Sequence, residues 1–424
     1  EGQKAVIEER VDRTVYNAEN DQTAKGGDAT DVLKRVPMLS VDLDGNVSMR
    51  GSSNIQVLIN NKPSTIMASS VADALKQIPA DQIKTVEVIT SPSAKYDAEG
   101  SGGIINIITK KNSLEGLTLN IDAGVGIRGS NLGLNGNYRK NKMGFSLGGW
   151  GRANYNVNGE YTNKQTTYSD FQQQQAGNAS VNTQRADTRN QGLFGNYTLG
   201  WDYDINDKNF MTASVRFGAR NNKSYQDNLF TSILDTDDVT NTSLQDVETK
   251  NNSNSIDANV TFTHQYEKPS KELSFLAGYS RDKQDNDFER LTREINDVVL
   301  PQGIVNINNS TNEELTFQVD YQTPIAQNQM LEIGAKNIMR MVFSDYAYFE
   351  DPEGDGSYNR VENESFSNNL NYNQNVSSGY LSYTLSTNTG YSFKAGTRYE
   401  YTTIDAYSLS DDDIEIPSYG ALVP

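Results

Sequence analysis

The feature that most constrains this chain is a period-two alternation of apolar and polar residues, repeated from Leu117 almost to the end. Leu117, Leu119, Ile121, Ala123 and Val125 alternate with Thr118, Asn120, Asp122 and Gly124. Leu193, Tyr197, Leu199, Trp201 and Tyr203 alternate with Asn196, Thr198, Gly200 and Asp202. The same rhythm returns around Met211–Phe217, Ala258–Tyr266, Leu315–Tyr321 and Tyr391–Tyr399. Successive side chains of a strand point to opposite faces, so this pattern predicts strands with one apolar and one polar face.

The connections alternate too. Short turns are predicted at 140–142, 206–208, 268–270, 325–327 and 387–389, and long polar segments near 168–188, 221–254, 282–311 and 344–369. About eleven strands fit before Pro424. The polar face also carries charge, which a dry core would have to pair group by group and a water-filled lumen would not. Mean hydropathy is −0.66, and no run approaches the roughly 20 apolar residues of a spanning helix. A transmembrane barrel hides its apolar face in alternation and has such a water-soluble average. The predicted fold class is therefore mainly β, an antiparallel transmembrane barrel with short turns on one side and long loops on the other. A soluble β-sandwich or adhesin-like array is the alternative.

Composition removes whole classes of function. There is no cysteine and only one histidine, His264, so thiolate chemistry and His-rich metal sites are excluded. The net charge of −18 argues against nucleic acid as a partner. No nucleophile–base pair emerges, and the chain reads as a non-enzyme. Glu1 opens no visible signal peptide, so the sequence is expected to be mature or cut from something longer.

The chain before Leu117 has a different texture. Residues 1–28 are charged and uneven and read as a flexible arm. Residues 29–112 read as a compact α+β domain: a short helix at Asp31–Val36 stopped by Pro37, and a hairpin from Val41 to Met49 turning at Asp44-Gly45-Asn46. Further on come strands at Gln56–Ile59, Thr85–Thr90 and Gly103–Thr109, the last too apolar for an edge. A helix is predicted over Val71–Ile78 with Ser69 or Ser70 as N-cap. Residues 113–424 form the barrel portion.

This N-terminal domain resembles the plug of TonB-dependent outer-membrane receptors. The matching pieces, in order, are Asp31-Val32-Leu33-Lys34-Arg35-Val36-Pro37, Val47-Ser48-Met49-Arg50-Gly51, Val57-Leu58-Ile59-Asn60-Asn61-Lys62-Pro63 and Ile83-Lys84-Thr85-Val86-Glu87-Val88. The most specific is Ser91-Pro92-Ser93-Ala94-Lys95-Tyr96 followed by Gly100–Lys111. The wording resembles receptors of Bacteroidetes-type bacteria; Asn60 and Tyr96-Asp97 are mild departures. The resemblance implies an outer-membrane location and active uptake of a scarce nutrient such as siderophore-iron, cobalamin, a glycan or a peptide. It implies TonB as energising partner, membrane lipid around the barrel and in some cases a surface lipoprotein. Such barrels close with about 22 strands, and open edges cannot stand in lipid, so the chain is expected to hold the first half. A receptor or envelope-assembly subunit that keeps the scaffold without transporting is the alternative.

The resemblance also nominates residues. Ala5, Val6 and Ile7 are candidates for the TonB-contacting strand, which pairs edge to edge. Arg50 and Glu87 are candidates for plug–barrel gating; Glu87, an acid in an apolar strand, needs a partner or a raised pKa. Gly100-Ser101-Gly102-Gly103 precedes a strand, lacks Lys-Ser/Thr and is a turn, not a phosphate loop. Asp42–Asn46 lacks the downstream Glu of a calcium loop. Residues 344–364 hold seven acids against Arg360, and within them Asp351, Glu353 and Asp355 form the candidate cation- or ligand-binding loop, with Ca²⁺ as the one conceivable cofactor. His264, on the apolar face near a short turn, reads as part of a membrane-interface girdle.

Overall fold

The computed structural model describes residues 6–9, 13–21, 28–42, 45–53, 55–59, 62–63, 71–76, 78, 80, 83–89, 103–109, 115–168, 179–235, 238–268, 270–296, 298–326, 328–351, 361–387, 392–408, 411–414 and 416–423. The N-terminal domain contains β1 (Ile7–Glu9), β2 (Arg13–Tyr16), α1 (Ala29–Leu33), β3 (Leu39–Val41), β4 (Val47–Met49), β5 (Gln56–Ile59), β6 (Lys62–Pro63), α2 (Val71–Lys76), β7 (Ile83–Ile89) and β8 (Ile104–Thr109). Six of these strands make one sheet in the order β1-β2-β7-β8-β5-β6, and β3–β4 is a separate hairpin. The apolar strand β8 lies in the middle, antiparallel to β7 and parallel to β5.

Helix α1 starts where Asp28 caps it. Its side chain accepts from the Thr30 amide at 2.8 Å, and the Asp31 carboxylate reaches back to the Asp28 amide at 3.4 Å. This reciprocal capping box satisfies amides that the first turn leaves unpaired. Val32 and Leu33 then bury against Leu75, Ile83, Val86 and Ile107 in one core. Gly103 enters β8 at φ +135, and a Cβ there would press on Met49 and on the Ile89 carbonyl, so close backbone approach requires glycine.

Strands β1 and β2, Ile7–Glu9 and Arg13–Tyr16, correct the expectation of a free arm. Val15 and Tyr16 are buried, and β2 pairs along β7 with Val15 opposite Glu87. The arm reading failed because a four-residue strand, Arg13-Thr14-Val15-Tyr16, offers too little alternation to register. The helix predicted at 71–78 is α2, while Ser69 and Ser70 lie outside the described residues.

The rest of the chain is one antiparallel meander. Its long strands are β9 (Gly116–Val125), β10 (Gly129–Lys140), β11 (Met143–Tyr168), β12 (Ala179–Asn206), β13 (Asn209–Asp235), β14 (Asp238–Gln265), β15 (Glu272–Ile295), β16 (Val298–Ala326), β17 (Gln329–Asp351), β19 (Asn368–Ser386) and β20 (Ser392–Ser408). Short β18 (Val361–Glu362), β21 (Asp411–Ile414) and β22 (Tyr419–Val423) complete a 14-stranded sheet. Eleven long strands match the number predicted from alternation.

The register builds two faces. Leu119 lies opposite Gly136, Leu199 between Leu147 and Val215, Phe217 between Tyr197 and Ile256, Phe262 between Met211 and Phe275, and Phe317 opposite Ala277. Leu119, Leu199, Phe217 and Phe317 are all exposed on this apolar face. Near its short-turn end Trp201 stacks on Tyr203 at 5.6 Å, and His264 meets Tyr266 edge-on at 4.4 Å. Lys271 lies 4.4 Å over the Tyr266 ring, and His264 Nδ1 is 2.7 Å from Asn209 Oδ1. Amphipathic rings of this kind suit a membrane–water boundary.

The opposite face is polar, and much of it is buried. Tyr380 donates to Asp320, Gln318 Nε2 donates to Asp320 Oδ2 at 2.9 Å, and Lys394 Nζ lies 3.0 Å from Glu332 Oε2. Gly334 faces Tyr380 directly across the β17–β19 pair, leaving room for the ring.

Most of the polar segments expected to be long loops are continuous ladder. β12 runs 28 residues, roughly 90 Å at about 3.3 Å per residue, against an apolar band roughly 25 Å tall. Above that band both faces meet water, so apolar alternation disappears from the sequence while backbone pairing continues. Ion pairs tie this upper part together, including Arg293–Asp246 at 3.0 Å, Lys250–Asp287 at 2.9 Å and Arg340–Glu314 at 2.7 Å.

Candidate functional site

The hairpin β3–β4 brings the N-terminal domain against the polar face of the sheet. Between them lies a cavity of about 750 Å³. Asp42 and Asn46 from the hairpin turn line one side; Asn120, Asp122, Asn135 and Trp150 from β9–β11 line the other. The turn holds itself: the Asn46 amide donates to Asp42 Oδ1 and its Nδ2 to Oδ2, both at 2.8 Å. Across the cavity, Asn131 Nδ2 donates to Asp122 Oδ1 at 2.9 Å. Two carboxylates and no basic residue line the cavity among the described residues.

Trp150 was not among the sequence-nominated residues. It occupies a polar-phase position of β11, opposite Gly133 and Asn196, and is 53% exposed. The available signal was an aromatic ring out of phase, flanked by Gly148, Gly149 and Gly151.

Glu87 has its partners inside the N-terminal domain. Arg13 Nη1 and Asn106 Nδ2 both lie 2.9 Å from Glu87 Oε2, which answers the need of an acid in an apolar strand. Arg50 sits with Gly51 in a tight turn, at φ 51 and 83, closed by Met49 N to Ser52 O and its reverse, each 2.9 Å. Two positive φ values are what such a two-residue turn demands. The Arg50 guanidinium reaches Met38 Sδ at 3.5 Å, and no acid among the described residues pairs with it.

Val6 and Ile7 are exposed, and β1 is the edge of the domain's sheet. The Val6 carbonyl accepts from the Asn17 amide at 2.8 Å, and Ile7 lies opposite Tyr16. Ala5, Glu353 and Asp355 lie outside the described residues; Asp351 ends β17. Among the described residues no group of three or more His, Cys, Asp or Glu could hold a metal ion.

Residues 6–104 match the TonB-dependent Receptor Plug Domain, and residues 264–424 match the Outer membrane protein beta-barrel family. The chain carries a TonB-dependent receptor plug followed by an outer-membrane β-barrel. The plug match includes β1 and β2, and the receptor's location is the outer membrane. Among solved structures, the receptor is similar to the ferric yersiniabactin uptake receptor FyuA of Yersinia pestis, at 10% identity over 95% of this chain and 76% of that one, with a TM-score of 0.28. It is similar to BauA, the ferric preacinetobactin receptor of Acinetobacter baumannii, at 11% identity over 95% and 76%, with a TM-score of 0.27. A third is the copper transporter OprC, at 9% identity over 95% and 92%, with a TM-score of 0.23.

Proposed function

We propose that this receptor takes up a scarce nutrient across the outer membrane, driven by TonB, and catalyses no reaction. The observation that carries this reading is the plug–wall cavity, where a plug turn and the polar face of the barrel sheet bound one space. Cargo held there touches both parts, so displacing the plug also alters the binding site. Traction enters at the other end. Val6 and Ile7, with Ala5 before them, supply an exposed edge for strand addition to TonB, where main-chain hydrogen bonds give affinity. Drawing on β1 loads β2, and the Arg13–Glu87 pair resists its departure from β7. Glu87 thereby gates through the plug's own sheet, and Arg50 gates through the turn that ends β4. The acidic segment containing Asp351, Glu353 and Asp355 enriches cations at the outer surface.

The test is a Val6→Cys receptor in cells carrying TonB with single cysteines in its periplasmic domain. A disulfide cross-link is expected, and Ile7→Pro, which cannot donate its backbone N–H, should reduce it. No cross-link from any position across 5–7 would remove this segment from energy coupling.

A further inference from the structure

The cavity between plug and wall has a chemistry that narrows its occupant. Its volume of about 750 Å³ falls in the range of small-molecule sites, roughly 300–1,000 Å³. Trp150 presents a half-exposed indole there, on a sheet face of amide, carboxylate and glycine, while the plug side adds the aliphatic Val47, Ile55, Val71 and Ala72. A large apolar ring on a wet wall is favourable when something with an apolar face covers it.

The polar groups around it are mixed rather than convergent. Asn46, Asn120 and Asn135 each supply donors and an acceptor, and Asp42 and Asp122 supply acceptors only. Each of those carboxylates is already oriented by an amide, from Asn46 and from Asn131 respectively. Their further lone pairs can take hydroxyl protons. An anionic chelate would meet two carboxylates without a single base among the described lining residues. A bound metal ion would require several ligands gathered on one point, and no group of three or more His, Cys, Asp or Glu is so gathered among the described residues. A neutral polyol has what remains: C–H faces for the indole and hydroxyls that both give and accept.

We propose that this cavity binds a neutral carbohydrate, with Trp150 stacked on a sugar face and Asp42, Asp122, Asn120 and Asn135 on its hydroxyls. The inference rests on the import reading above and names the class of its cargo. Trp150 is then the principal specificity determinant, since it supplies the one aromatic face among the described lining residues.

The experiment is isothermal titration of the detergent-solubilised receptor with maltohexaose, cellohexaose and xylohexaose, alongside ferric citrate and hexalysine. Saturable binding of at least one neutral hexaose is expected, unchanged between low and high salt. Trp150→Ala should weaken it about tenfold or more, a loss of about 1.4 kcal/mol, and Trp150→Phe should recover most of that. Unaltered migration of unheated samples in gels would show both variants folded. Failure of all three hexaoses to bind overturns the carbohydrate assignment. Binding of ferric citrate or hexalysine that is lost in Trp150→Ala also overturns it, while leaving the cavity as cargo site. The TonB cross-link at position 6 does not depend on cargo class, so its presence beside negative titrations would sink this inference and spare the import reading.

Discussion

Arg13 Nη1 lies 2.9 Å from Glu87 Oε2, an ion pair joining the second strand of the plug to its neighbour β7 across 74 residues of sequence. Both side chains are largely shielded, 25% and 13% exposed, and Asn106 donates to the same carboxylate oxygen. The pair fastens to the sheet the segment through which traction would arrive.

Glu87→Gln and Arg13→Ala should each destabilise the edge of the plug by about 1–3 kcal/mol, because a shielded group loses its charged partner. Hydrogen exchange at Thr14–Tyr16 reads this directly, and a double-mutant cycle isolates the coupling. Unchanged protection in both variants would mean that β2 is held by backbone pairing and burial alone.

Asp31 gives a pH-dependent contribution of known sign. The hydrogen bond from Lys34 holds its carboxyl below the usual carboxylate range, aided by the Asp28 amide. A lowered folded pKa means stability fully present above the unfolded value and lost as pH falls through the folded one. Asp31→Asn should flatten the acid limb of α1 protection below about pH 4. Asp28→Ala, which removes the cap itself, should cost about 0.5–2 kcal/mol at neutral pH. A limb of equal steepness in Asp31→Asn would assign the acid sensitivity to other carboxylates.

The two faces of the barrel predict opposite tolerance. Phe317→Lys on the apolar face should cost about 2–4 kcal/mol in folding into lipid vesicles, according to its depth. Thr316→Lys, one residue away on the polar face, should cost far less. Equal costs would contradict the orientation of β16.

Gly334 and Tyr380 form a size-matched pair. A Cβ at 334 would meet the Tyr380 ring and drive its hydroxyl from Asp320, so Gly334→Val should destabilise by about 1–3 kcal/mol. Tyr380→Phe removes only the hydroxyl and leaves a buried carboxylate short of a donor, also costing about 1–3 kcal/mol. A shift in melting temperature for Gly334→Val but none for Tyr380→Phe would assign the role to ring packing.

What could be read in the sequence follows from where each signal originates. Strand β5 was predicted over Gln56–Ile59 from its short apolar run, and the eleven long strands were counted because one lipid-facing side forces apolar alternation in them. Segments such as 221–254 read as loops because nothing apolar marks a strand with water on both sides. Glu87 announced a need for a cation, but Arg13 is too distant in sequence for spacing to identify it. The cavity was illegible for a similar reason. It joins Asp42 to Asp122 and Trp150 through tertiary placement of a hairpin; the sequence marked the Asp42–Asn46 turn only as an incomplete calcium loop, and the out-of-phase indole was not singled out.

The ladder that carries the strands far past the lipid also governs how such a surface can change over generations. Side chains stand on a lattice of fixed pitch, and inserting one residue in an arm would turn every position beyond it inside out. Substitution is thus the easy route, and insertions must come in pairs or be absorbed locally. Places that can absorb them already exist as register breaks, among them Asn154/Val157 on β11, the extra residue of β13 between Asp227 and Phe230 that shifts its pairing with both β12 and β14, and Thr292/Glu294 on β15. Length variation among descendants of this chain should collect at such joints, leaving the lipid-embedded girth of the wall unaltered.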